Sequence, residues 1–66
     1  MSTVSIIFPH APMIDGIANV AKAMVIVDEW CGVSMATCTE VAHKFETETC
    51  VDFECMDGRT VIIVED

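Results

Sequence analysis

Residues 50–64 read Cys50-Val51-Asp52-Phe53-Glu54-Cys55-Met56-Asp57-Gly58-Arg59-Thr60-Val61-Ile62-Ile63-Val64, and this stretch decides the fold. Over Cys50–Cys55, Val51, Phe53 and Cys55 alternate with Asp52 and Glu54, the pattern of a strand buried on one side. Asp57-Gly58 is a dipeptide that favours a tight two-residue hairpin turn, and Thr60–Val64 returns as the second strand. With Asp57 and Gly58 at the centre of the turn, Cys55 faces Thr60, Phe53 faces Ile62 and Val51 faces Val64. Opposed residues share a face, so Asp52 and Glu54 then lie beside Ile63 and Val61. The returning strand is apolar on both faces, which suits a central strand with a second neighbour.

That neighbour is expected in Thr3–Phe8, where Val4, Ile6 and Phe8 alternate before Pro9 and Pro12 end the ladder. From Pro12 to about Trp30, Met13, Ile17, Val20, Ala21, Met24, Val27 and Cys31 recur at helical spacing opposite Asp15, Asn19, Lys22 and Glu29, with Gly32 placed to end a helix. Gly16 and the β-branched run Val25–Val27 weaken that helix. Ser34 is the candidate N-cap of a second helix reaching about Phe45, with Met35, Cys38, Val41, Ala42 and Phe45 on one face. The expected architecture is a single α+β domain over residues 1–66, ordered β-α-α-β-β: a three-stranded antiparallel sheet with two helices on one face. Its other face would carry Ser5, Ile7, Asp52, Glu54, Val61 and Ile63, an apolar strip rimmed by acids.

Composition narrows the function classes. The 66 residues hold eleven carboxylates against three cations, a net charge of −8, yet they are 53% hydrophobic with a mean hydropathy of +0.54. An acidic disordered tail is excluded by the apolar content, and direct nucleic-acid or anionic-membrane binding by the lack of a basic footprint. Apolar runs such as Met24–Val27 and Val61–Val64 are short, far below the roughly 18 residues needed to cross a bilayer. The first eight residues contain no Lys or Arg and lead into no apolar signal segment, so a cytoplasmic setting with free thiols is expected for Cys31, Cys38, Cys50 and Cys55.

No catalytic or metal centre emerges from spacing. The cysteines follow one another as C-x6-C, C-x11-C and C-x4-C, and only the last falls within the C-x2-4-C pairs usual in structural zinc sites. Cys50 and Cys55 have opposite strand parity, and Cys31 and Cys38 read as core positions. Cys38 and His43, five apart on a helix, diverge by about 140°, and Phe8-Pro9-His10-Ala11-Pro12 lacks the arginine that would hold a phosphate. No enzyme activity, cofactor or metal is expected.

The acids are polarised. Residues 40–66 hold Glu40, Glu46, Glu48, Asp52, Glu54, Asp57, Glu65 and Asp66 against Lys44 and Arg59, a net −6. Glu46/Glu48 and Asp52/Glu54 are spaced i, i+2, which in extended chain sets carboxylates about 6.5–7 Å apart on one side, similar to successive phosphates of a nucleic-acid strand. Such a patch is steered to basic grooves. Trp30, off the apolar stripe of the first helix, reads as a side chain covering the edge of the core, with an interface anchor as the alternative.

Ala21-Lys22-Ala23-Met24, four further residues and Glu29-Trp30 resemble a helical segment, A-K-A-M-x4-E-W, of a small anti-CRISPR protein. The resemblance covers ten residues and implies a class: short, often acidic, non-enzymatic phage inhibitors that occupy the DNA-binding surface of a CRISPR effector. The function expected is therefore an acidic DNA-mimic inhibitor whose partner is a basic nucleic-acid-binding protein or complex. Glu46, Glu48, Asp52 and Glu54 would carry the contact, with Glu40 and Asp57 secondary, on a monomer or weak homodimer. The alternative is a structural or regulatory subunit that oligomerises through the Val61/Ile63 strip.

Overall fold

The computed structural model describes residues 3–66. In chain order its elements are β1 Val4–Ile7, β2 Ile14–Ile17, α1 Val20–Cys31, α2 Met35–Lys44, β3 Cys50–Glu54 and β4 Thr60–Glu65. The class is α+β as expected, but the antiparallel sheet has four strands, not three, in the order β2-β1-β4-β3. β4 is central, between β1 and β3, as its two apolar faces require.

The additional strand comes from the segment expected to begin the first helix. Gly16 sits at φ +69°, in the left-handed region that a helix interior does not accommodate and that glycine enters without steric cost. Val4 pairs with Ile17 and Ile6 with Ile14, so three residue steps on β2 match two on β1. The extra residue is a bulge, and the left-handed glycine lies within it. The helix starts later, where the Asn19 side chain caps it by accepting from the Lys22 backbone N–H at 2.9 Å. It ends where expected, with the Gly32 N–H donating to the Asp28 carbonyl at 2.9 Å. The Val25–Val27 run stays helical because Val27 is fully buried and Ile26 packs against the core.

In α2 the Ser34 cap holds, its hydroxyl accepting from the Thr37 N–H at 3.2 Å. Only Val41 of that helix is fully enclosed, while Cys38 and Phe45 pack partly against the core. Met35 and Ala42, expected on the core face, are exposed and line a groove between the helices instead.

The hairpin departs by one residue from the expected register. Cys55 pairs through its N–H with the Arg59 carbonyl at 2.8 Å, the Gly58 N–H closes onto the Cys55 carbonyl at 3.0 Å, and Gly58 lies at φ +90°. This is a three-residue loop with a left-handed glycine at its last position, not a two-residue turn. Phe53 therefore faces Val61, and Val51 faces Ile63. A one-residue slip exchanges the faces of a strand, so Val61 and Ile63 are both 0% exposed, and Ile62 and Val64 take the outer face. The apolar strip assigned to Val61 and Ile63 does not exist with those residues.

The inward rows, Val4, Ile6 and Phe8, Val51, Phe53 and Cys55, and Val61 and Ile63, form one core with Ala23, Met24 and Val27 of α1 and Val41 of α2. Both helices thus cover one face of the sheet and leave the other open. Among the described residues, no helix is long and apolar enough to cross a membrane. Because Ile63 is enclosed and Ile62 is not, Ile63→Ala should cost about 2–5 kcal/mol of unfolding free energy, a large share of what so small a domain holds. Ile62→Ala should cost roughly 1 kcal/mol or less. Chemical denaturation of the two variants distinguishes the observed register from the expected one, which reverses the ranking.

Candidate functional site

Alternation along the strands builds the open face. β3 contributes Asp52 and Glu54, β4 contributes Ile62 and Val64, and β1 contributes Ser5 and Ile7; cross-strand neighbours are Asp52 with Ile62, Ile7 with Ile62, and Ser5 with Val64. Ile7 is 38% exposed, and Ile62 and Val64 are half-buried. The result is an aliphatic centre with carboxylates along the edge strand. Asp66 closes one end: its carboxylate accepts from the Thr3 hydroxyl at 2.9 Å and from the Ser5 hydroxyl at 3.0 and 3.1 Å.

The six acids expected to act together are distributed over four places. Asp52 and Glu54 share the outer side of β3, exposed and in extended chain, so their spacing of about 7 Å holds. Glu46 and Glu48 do not share it. The chain from Phe45 continues in turns, with the Glu46 N–H on the His43 carbonyl and the Thr47 and Glu48 N–H groups on the Lys44 carbonyl. Backbone donors at the end of α2 thus use the helix carbonyls before the chain can extend, and the i, i+2 argument fails there. Glu40 lies on α2 and Asp57 at the tip of the hairpin.

Charge pairing separates these residues further. Glu40 meets Lys44 at 3.2 Å, Glu46 meets His43 Nδ1 at 2.9 Å, and Asp57 accepts from Arg59 Nε at 2.6 Å. Among the described residues, Glu48, Asp52 and Glu54 make no ion pair and no side-chain hydrogen bond. Both cations of the acidic half are thus held by Glu40 and Asp57, and the carboxylates of the sheet edge keep their full field.

Around the hairpin tip lies a cluster that spacing did not reveal. Trp30 stands tilted against Phe8, ring centroids 4.2 Å apart, and the Arg59 guanidinium lies 3.9 Å above the indole. Trp30 is therefore a half-buried rim of the core with a cation on its face, not a free anchor. Beside it Cys31 and Cys55 are joined as a disulfide, which corrects the expectation of four free thiols; Cys38 and Cys50 remain free. The end of α1 and the base of the hairpin bring the two Cα atoms within 6.0 Å, an ordinary separation for such a bond. With a sequence separation of 24 between the partners, only the tertiary packing pairs them. Cys31, Cys55 and Asp57 also form a cluster of metal-capable side chains, with ligand atoms all within 4.8 Å of one another. His10 and His43 stand outside it. A separate apolar groove of about 490 Å³ runs between the helices, lined by Met24, Val25, Val33 and Met35.

The chain matches no protein-family model, no curated protein and no solved structure. Function is therefore argued from the surface alone.

The side-chain hydrogen bond from Arg59, aided by the Arg59 backbone N–H at 3.0 Å, holds the Asp57 carboxyl below its ordinary value. A depressed folded-state value stabilises the fold above the unfolded carboxylate's titration range, and that contribution is lost as pH falls through the folded value. An NMR titration should give Asp57 a midpoint below that of an unpaired aspartate, and Arg59→Gln should return it upward.

Proposed function

We propose that this chain is a non-enzymatic binding protein that occupies the nucleic-acid-binding surface of a basic protein or complex, a CRISPR effector or another, in place of nucleic acid. One observation carries the reading: Asp52 and Glu54 project from the same side of an exposed edge strand, unpaired, with Ile62 directly across from Asp52. Two carboxylates at near-phosphate spacing answer the cations of a basic groove, and the adjacent aliphatics supply apolar contact. Glu48 follows on the same connection into β3. Glu40 and Asp57 contribute to the long-range field with their near-range charge already paired to Lys44 and Arg59, and Glu46 adds to it beside His43. The anti-CRISPR-like segment supports the same class, although Ala23 and Met24 within it are core residues of α1, so that segment reads as scaffold and the docking surface lies elsewhere.

A pull-down from nuclease-treated bacterial lysate should retain a nucleic-acid-binding complex at low salt and release it at high salt, because exposed charges are screened within about 10 Å at 0.1 M. Added DNA should compete. The triple variant Glu48→Lys, Asp52→Lys, Glu54→Lys should lose at least about tenfold in affinity, mostly in association rate, with unchanged circular dichroism. Undiminished binding by a folded triple variant ends the reading.

A second reading, assembly of copies through the open sheet face, is favoured by Ile7, Ile62 and Val64 standing uncovered. Light scattering separates it: a dilution-resistant dimer that Ile62→Asp turns into a folded monomer supports assembly, and a monomeric parent excludes it. The buried Ile63 is unsuitable for that test, since its substitution by Asp unfolds the chain.

A further inference from the structure

We infer that the dithiol form of this protein binds one thiophilic divalent cation of the zinc class through Cys31, Cys55 and Asp57. The Sγ atoms of the two cysteines and a carboxylate oxygen of Asp57 lie within 4.8 Å of one another. A tetrahedral zinc ion with Zn–S bonds of about 2.3 Å holds its ligand atoms roughly 3.5–3.8 Å apart, so side-chain rotation alone converts the cluster into a ligand set. The Cα atoms at 6.0 Å need not move.

The backbone holds the three ligands together without the S–S bond. Cys31 is the last residue of α1, and the residue after it, Gly32, accepts from the Met56 N–H at 2.9 Å. Cys55 and Asp57 are two apart in a loop closed by the Cys55–Arg59 and Cys55–Gly58 hydrogen bonds. Arg59 fixes the Asp57 carboxylate by donating its backbone N–H to Oδ1 and its Nε–H to Oδ2, the outer support that ligating carboxylates generally have. Two thiolates select a borderline-soft ion over calcium or magnesium, which take oxygen ligands. Charge also balances, since two thiolates and one carboxylate meet one guanidinium and a dication. Asp57 is exposed and Cys31 half-buried, which leaves a fourth position to water.

The chemistry closes on named species. A dithiol reductant is oxidised to its own disulfide, and Cys31 and Cys55 take up its two electrons and two protons as the S–S bond breaks. The ion then displaces the two thiol protons to buffer. Disulfide and ion exclude each other, because the same two sulfur atoms serve both.

The probe is Cd2+, titrated into the full chain reduced with a phosphine under argon and followed by the ultraviolet thiolate-to-cadmium charge-transfer band. The expected result is one equivalent bound, with the band absent from the disulfide form and from Cys31→Ser and Cys55→Ser, and retained in the double variant Cys38→Ser, Cys50→Ser. Asp57→Asn, a surface change, should weaken binding about tenfold or more. Absence of the band from the reduced chain overturns the inference whether or not the reduced chain keeps its fold, since metal binding that drives folding gives the same band. A band that depends on Cys38 or Cys50 overturns it too, and unchanged affinity in Asp57→Asn overturns the three-ligand set.

Discussion

The Met56-Asp57-Gly58 loop determines more of this molecule than any other three residues. Gly58 in the left-handed region gives the hairpin an odd-numbered connection, and that parity decides which of the two apolar rows of β4 is core. With Val61 and Ile63 inward, the sheet packs against Ala23, Met24, Val27 and Val41, and Asp52 and Glu54 acquire Ile62, not Val61 or Ile63, as their outer-face neighbour. The same loop sets Cys55 against Cys31 and carries Arg59 over Trp30. A side chain at position 58 would meet no steric obstacle; the constraint is backbone conformation alone. Register, core, disulfide and the cation on the indole all descend from one dihedral angle.

What could be read in advance followed from local chemistry. The hairpin strands, the Ser34 cap, the Gly32 stop and the central place of β4 each depend on residues within a few positions of one another, and each was legible. Three features were not. Met13, Ile17, Val20 and Ala21 fit a helical wheel, and only the bulge pairing of β2 with β1 explains why Gly16 breaks it. The Asp-Gly dipeptide is compatible with two loop lengths, and the alternation of Val61 through Val64 cannot choose between them because all four are apolar. The Cys31–Cys55 bond spans the interval between two elements whose approach is a tertiary fact. The acidic face was half legible: Asp52 and Glu54 were placed correctly by strand parity, while Glu46 and Glu48 were misplaced because extended chain was assumed where the end of α2 turns.

The pairing of charges follows from the same geometry. Lys44 and Arg59 each have a carboxylate close in sequence, Glu40 one helical turn away and Asp57 across the loop, and local partners are entropically cheaper to hold than distant ones. On β3, Asp52 and Glu54 alternate with buried Val51 and Phe53 and face Ile62 and Thr60 across the strand, so among the described residues no cation is placed to meet them. Like charges along an edge strand also discourage edge-to-edge pairing with another sheet. Under the proposed function, the same charges that repel a second copy would attract a basic surface.

The two proposed functions adjoin along the hairpin, Glu54 of the acidic face standing next to Cys55, yet the charge of the metal site is the same in its two forms. Glu48 enters β3 at one end, and Cys55 and Asp57 close it at the other. In the disulfide the two sulfur atoms carry no charge. In the ion-bound form two thiolates offset a dication, again leaving none. The long-range field that would steer the acidic face toward a basic partner is therefore the same in both forms. Exchange of the disulfide for the ion therefore acts on the anchoring of the hairpin to α1 and not on that field. Coupling between the two, where it exists, must pass through the rigidity of β3 and β4, whose shared residues are the core positions Val51, Phe53, Val61 and Ile63.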